Sequence, residues 1–153
     1  MDRVRDWMAA QVITVGPEHS VAAAREIMWN RHIRHLPVVD RGRLIGMISD
    51  RDVRGPDVAA AVALSSTQRE VLAGSHRPVR SLMSTGVQTA WPHDTVVYAA
   101  SLMAQWKIGA LPVVDHEEGD RLVGIITTTD CLRALVRLYH SETDDPGTAA
   151  SDG

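Results

Sequence analysis

Phenylalanine is absent from the 153 residues and aromatic side chains amount to only 4%, although 44% of the chain is hydrophobic. The core must therefore be built from Val, Ile, Leu, Met and Ala with a few Trp, small interdigitating side chains that suit thin layers of helix on sheet. Cysteine is nearly absent too. Cys131 stands alone, which excludes an internal disulfide or a multi-cysteine zinc knuckle and agrees with a reducing compartment; it reads as a small core residue rather than a nucleophile. No apolar run approaches the roughly 20 residues of a membrane-spanning helix, and the N-terminus lacks the ordered zones of a signal peptide. The expectation is a soluble, cytoplasmic protein with no membrane partner. The net charge is -3 with both signs scattered, so there is no basic block to neutralise phosphates and a nucleic-acid partner is not expected. A glycine-rich phosphate loop, a nucleophile elbow and a Cys/His dyad are all missing, so the chain is not expected to be an enzyme. Seven histidines raise the question of a metal. His32 and His35 are the closest pair, but a zinc site needs three or four converging ligands, so they read as surface histidines.

What is present is a repeat. Shifted by 75 residues, Val4–Asp40 lies on Val79–Asp115 with 15 of 37 positions identical, among them Met8 with Met83, Pro17 with Pro92, and the run Leu36-Pro37-Val38-Val39-Asp40 with Leu111-Pro112-Val113-Val114-Asp115. The match breaks where His116–Asp120 replaces Arg41-Gly42. It resumes three residues later, with Gly46, Ile48 and Asp52 against Gly124, Ile126 and Asp130. The extra residues fall in a polar turn, where length is tolerated. Each copy predicts a turn at Met8 or Met83, a brief β segment ending at Val15 or Ala90, and a helix N-capped by Ser20 or Thr95. Two strands then follow, Leu36–Asp40 and Arg43–Ser49 or Leu111–Asp115 and Arg121–Thr127, and a last helix starts near Asp52 or Asp130. The units are residues 1–54 and 79–140. An Ala-rich connector, 55–78, is expected to be helical over Asp57–Gly74, and the polar tail 141–153 is expected to lack structure.

The order β-α-β-β-α, with Leu-Pro-Val-Val-Asp followed by Gly-x-Ile-[Ser/Thr]-x-x-Asp twice over, resembles the CBS domain family across about residues 4–140. The resemblance implies an α/β fold of the α+β type, two tandem CBS repeats packed sheet to sheet around a pseudo-twofold axis, with two equivalent clefts. It also implies a homodimer.

Each closing segment places a hydroxyl and a carboxylate where a strand runs into a helix N-terminus, a setting that welcomes an anion. They are Gly46-Met47-Ile48-Ser49-Asp50-Arg51-Asp52 and Gly124-Ile125-Ile126-Thr127-Thr128-Thr129-Asp130. Carried over from the family, Asp52 and Asp130 would grip ribose, and Thr127 and Thr129 would bind ribose or phosphate, with Ser49 their partner in the first copy. The plain alternative is that both Asp residues are helix caps. Asp50 brings a carboxylate toward any phosphate, partly offset by Arg51, so electrostatics favours the Thr-lined segment. Arg34 and His35 occupy positions that supply phosphate ligands in nucleotide-binding relatives, whereas Gly109 and Ala110 replace them in the second copy. Basic phosphate ligands are thus expected from the first copy only, in a cleft left open. The family's adenine slot corresponds to Val12, Ile13 and Thr14 with Val87, Gln88 and Thr89, which serve equally well as core.

Two functions from different classes are compatible with these residues. One is a non-catalytic regulatory sensor of an adenosine nucleotide, AMP, ADP or ATP, with no required cofactor and an effector protein on another chain. The other is a ligand-free dimerisation or docking module using the Ala-rich connector. Within the first, S-adenosylmethionine, NAD, a cyclic dinucleotide or a metal ion are alternative ligands.

Overall fold

The computed structural model describes residues 2–54 and 76–143. The Ala-rich stretch expected to be helical lies outside them, as does the tail beyond Thr143. In the first copy the elements are α1 (Val4–Trp7), α2 (Val21–Arg31), β1 (His35–Asp40), β2 (Arg43–Ser49) and α3 (Asp50–Arg54). The second copy supplies a 3-10 turn over Val79–Ser81, α4 (Val96–Trp106), β3 (Ala110–Asp115), β4 (Arg121–Thr127) and α5 (Thr128–Thr143). The expected caps form: Ser20 Oγ accepts from Ala23 N at 3.1 Å and Thr95 Oγ1 from Tyr98 N at 3.0 Å. Helix α5 runs further than expected. Ser141–Thr143 complete its last turn, with Ser141 Oγ donating to Arg137 O at 3.0 Å.

The two hairpins are built alike. β1 pairs with β2 and β3 with β4, both antiparallel, and each pair slips register at the same place, between Val38 and Val39 and between Val113 and Val114. Arg41 and Gly42, with φ of 52° and 82°, make the turn in the doubly left-handed form that matches strand twist. The three-residue insertion leaves that solution intact. His116–Glu118 winds into a 3-10 turn capped by Asp115, and Gly119 and Asp120 then repeat the positive φ pair. The brief β segments before the helices shrink to single parallel bridges, Val15 to Val38 and Ala90 to Val113. Nor are the hairpins separate sheets. β2 and β4 meet at Arg43 and Arg121, giving one four-stranded sheet in the order β1-β2-β4-β3.

The copies exchange their beginnings, which the repeat pattern does not reveal. Val4 N donates to Asp94 O at 2.8 Å and Arg5 N to Pro92 O at 3.1 Å; symmetrically, Val79 N donates to His19 O at 2.7 Å and Arg80 N to Pro17 O at 3.0 Å. Ala9 then bridges to Ile125 of β4, and Ser84 to Met47 of β2. The hydrophobic interior divides accordingly. Val4 is buried with Val96, Leu111, Val113 and Ile126, whereas Val79 is buried with Val21, Leu36, Val38 and Ile48. Glycine makes this crossing fit. A Cβ on Gly46 would lie 2.7 Å from Met83 Sδ and 2.8 Å from Ser84 O, and one on Gly124 would lie 2.5 Å from Met8 Sδ and 3.0 Å from Ala9 O. The pseudo-twofold axis is thus written in matching hydrogen bonds, and each core needs both copies.

Candidate ligand clefts

Two cavities open where the closing segment of one copy faces the beginning of the other. Cleft one, about 630 Å³, is lined by Val12 and Ile13, by His32 and Arg34-His35, and by Thr127-Thr128-Thr129. Cleft two, about 720 Å³, is lined by Val87 and Gln88, by Trp106 and Lys107, and by Ser49-Asp50-Arg51-Asp52 and Arg54. Arg34 and His35 line it as well. Both volumes fall within the span of roughly 300 to 1,000 Å³ usual for small-molecule sites.

Each cleft is seated on a reciprocal cap. Ser49 N and Ser49 Oγ donate to Asp52 Oδ2 at 2.8 and 2.9 Å, and Asp52 N returns a bond to Ser49 Oγ at 3.3 Å. Thr127 and Asp130 repeat this at 2.8, 2.9 and 3.3 Å. This is the capping-box arrangement, in which the N-cap and third helical residue satisfy each other's free N–H groups. The cap reading of the two aspartates is therefore realised, and in each it occupies one carboxylate oxygen.

The residues that the motifs nominate as ligands divide unevenly between positions on a cleft wall and positions off it. Val12, Arg34, His35, Thr127 and Thr129 share cleft one, while Val87, Ser49, Arg51 and Asp52 share cleft two with the same Arg34 and His35. Asp130, Thr14 and Thr89 reach neither wall. Asp130 is turned into its cap, with a side chain only 16% exposed and Oδ1 3.7 Å from Arg133. Thr14 and Thr89 lie where the chain has already joined the sheet: Val15 N donates to Pro37 O at 3.1 Å and Ala90 N to Pro112 O at 2.9 Å.

The charge expectation also changes. Among the described residues, cleft two carries Arg34, Arg51, Arg54 and Lys107 against Asp50 and Asp52, and Arg54 holds Asp50 at 2.6 Å; cleft one carries Arg34 and no carboxylate. The carboxylates of cleft two are thus outnumbered by cations. Lys107, from the second copy, adds to cleft two a basic group that the motifs do not nominate. It pairs with His32 under the 75-residue shift, and the two share a left-handed backbone, each with φ of 54°, which non-glycine residues seldom adopt. Both residues close a helix, their N–H groups bonding Met28 O and Met103 O. Burial, reinforced by Arg34 and opposed by Asp50 and Asp52, pushes the pKa of His35 below its ordinary value. Cys131 goes the other way: burial and then Asp130 raise its pKa, so the thiol stays protonated, as suits a packing residue rather than a nucleophile.

The CBS domain family's sequence model matches residues 4–55 and 79–137. The CBS domain-containing protein YhcV of Bacillus subtilis is 34% identical over 130 residues, 85% of this chain and 83% of its own. Among solved structures, CBSX2 of Arabidopsis thaliana in complex with AMP is 26% identical with a TM-score of 0.74, covering 90% of this chain and 99% of that one. The CBS domain pair of MJ0100 in complex with 5′-methylthioadenosine and S-adenosyl-L-methionine is 29% identical with a TM-score of 0.68, covering 93% and 98%.

Proposed function

Because the chain belongs to the CBS domain family, as a tandem pair of such domains, we propose that it is a non-catalytic regulatory module that binds an adenosine nucleotide, AMP, ADP or ATP, between its two copies. One observation carries this reading: in each cleft apolar side chains from the beginning of one copy (Val12 and Ile13, or Val87), a hydroxyl-bearing helix start and the Arg34-His35 wall face a single cavity. Val12 and Ile13, or Val87, would flank the adenine. In cleft two Asp52, whose Oδ2 serves the cap, would offer its other oxygen to ribose hydroxyls, as acidic residues do in dinucleotide folds. In cleft one Thr127 and Thr129 take that part, and Asp130 acts through the Thr127 it holds. Arg34 and His35 would meet the phosphates, helped in cleft two by Arg51 and Lys107.

Adenosine is common to the ligands of CBSX2 and MJ0100, and lining charge separates the candidates. S-adenosylmethionine sets a sulfonium and an ammonium against one carboxylate, a net positive charge that the cations of cleft two repel, whereas a phosphate is attracted. A sensor must also respond, and a ligand shifts a conformational equilibrium only by its differential affinity for two states. Each cleft is walled by both copies, so bound ligand would bias their relative placement and be read by an effector on another chain in the cytoplasm. No described helix is long and apolar enough to cross a membrane.

A homodimer belongs to the same proposal. The outer face of α5 presents Leu132, Leu135, Val136, Leu138 and Tyr139, each more than half exposed. Such a contiguous apolar stripe marks an association surface. Sedimentation of wild type and of Leu135→Glu would show a dimer and its loss; a wild-type monomer would refute this part.

The experiment for the ligand is calorimetric titration with AMP, ADP, ATP and S-adenosylmethionine, repeated on folded Asp52→Ala and Asp130→Ala variants. Saturable binding weakened by Asp52→Ala supports the reading. A folded wild type that binds none of the four refutes it and puts the docking module ahead.

A further inference from the structure

The two clefts are not walled off from each other. Arg34 and His35 line both, and Gly109 lies on both walls beside them. At the equivalent place the second copy offers Gly109 and Ala110, so there is one basic pair where the pseudo-symmetry has room for two. Matching backbone bonds hold this shared wall in place: Asp50 N donates to Arg34 O at 2.8 Å, and Thr128 N to Gly109 O at 3.0 Å. A Cβ on Gly109 would stand 3.6 Å from His35 Cε1, so the imidazole edge lies against the second copy where the clefts adjoin. Cleft two has further cations in Arg51 and Lys107. In cleft one, among the described residues, Arg34 is the only Arg or Lys on the wall.

We infer that phosphate-bearing ligands in the two clefts compete for the single Arg34 guanidinium, so that filling cleft two weakens cleft one. This rests on the reading that the clefts take a phosphorylated adenosine, and it adds a rule for how they share it. A guanidinium is one rigid fork of donors that grips one phosphate bidentately. Once engaged toward cleft two, it leaves cleft one with no other Arg or Lys among the described residues. Cleft two keeps Arg51 and Lys107 when Arg34 turns away, so with both clefts filled the guanidinium settles toward cleft one and the single shared penalty is the smaller loss, that of cleft two. By linkage the coupling acts equally in both directions. Unphosphorylated adenosine makes no claim on Arg34, so it fills the clefts independently.

The test is a site-resolved NMR titration of the full chain with ADP, in which the Thr129 amide reports cleft one and the Gly86 amide reports cleft two. Lys107→Asp weakens cleft two at a position whose left-handed backbone Asp tolerates. The expected result is that Thr129 reaches half-saturation at about fivefold less ADP than in wild type, the low end of typical coupling between sites. This gain in cleft one comes although the molecule becomes more negative by two charge units, an outcome independent sites do not give. In an Arg34→Ala background, which alters an exposed residue outside both cores, the same substitution leaves the Thr129 midpoint unchanged or raises it. A Thr129 midpoint that Lys107→Asp fails to lower in the Arg34 protein overturns the shared-wall inference while nucleotide binding stands. If ADP shifts neither amide, both that inference and the nucleotide reading fall.

Discussion

The two halves agree at most of their buried positions and differ where they meet the clefts. Leu36 and Leu111, Ile48 and Ile126, Val21 and Val96, and Gly46 and Gly124 fill equivalent places in the two cores or at the crossings between copies. Against this, Arg34-His35 faces Gly109-Ala110, Asp50-Arg51 stands where the other half has Thr128-Thr129, and Lys107 stands where the first half has His32. Packing constrains the first set, since an interior at crystal-like density feels a single methylene. Solvated cleft walls carry no such constraint and are free to specialise. The lesson is that duplication produced two equivalent scaffolds but two unequal sites.

The equivalence of the halves is broken most forcefully in the cores. Leu36→Ala and Leu111→Ala each remove a side chain with no exposed surface, and each should cost about 2–5 kcal/mol. If the halves are equivalent scaffolds and each needs both copies, denaturant titrations will give similar losses and one cooperative transition for each variant. A second transition in either would show cores that stand alone. The glycines sharpen the picture at the next level. Gly46→Ala forces a Cβ within 2.8 Å of a backbone oxygen, whereas Gly124→Ala meets its backbone oxygen at 3.0 Å and otherwise a flexible Met8 side chain. Both should overpack, by about 1–3 kcal/mol, with Gly46→Ala giving the lower melting temperature.

Smaller effects test the caps. Ser49→Ala and Thr127→Ala should each cost about 1 kcal/mol in denaturant unfolding, the usual value of an N-cap. They also leave Asp52 and Asp130 without their hydroxyl partners, so ADP affinity should fall in the cleft concerned. The smallest effect concerns His35, which has no counterpart in the other half. Burial, and then Arg34, depress its pKa, so the unfolded chain binds a proton more readily than the folded one. Stability from this group is complete above its ordinary pKa of 6.5 and is lost as pH falls through the folded value. The melting temperature of His35→Gln should therefore decline less than that of wild type on acidification below that pH. Parallel curves would show that His35 is not the group responsible.

Much of this architecture is legible in the sequence because it rests on local signals. Ser20 and Thr95 announce their helices through capping chemistry, and the paired Leu-Pro-Val-Val-Asp runs announce β1 and β3. The 75-residue shift carries the tandem repeat, and the family resemblance implies the pseudo-twofold relation. What escapes is non-local. An apolar turn such as Val4–Met8 buries itself equally well against either copy, and nothing in its composition says that it crosses over. The motif shared with Asp52 marks Asp130 as a ribose ligand, but only the folded chain shows that one of the two reaches a cavity. In sequence Lys107 is a lone surface lysine, and the available signal is its alignment with His32. The motif also marks Arg34 and His35 as phosphate candidates, but which cleft they serve depends on tertiary placement, and they prove to lie on both.

The most direct test of the central claim, that ligand phosphate is held by a wall the two clefts share, is a comparison of AMP and adenosine binding to wild type and Arg34→Ala by calorimetry. AMP affinity should fall about tenfold in the variant, the worth of a hydrogen bond to a charged group, while adenosine affinity stays as in wild type. An unchanged AMP affinity, or an equal loss for both ligands, would contradict the account.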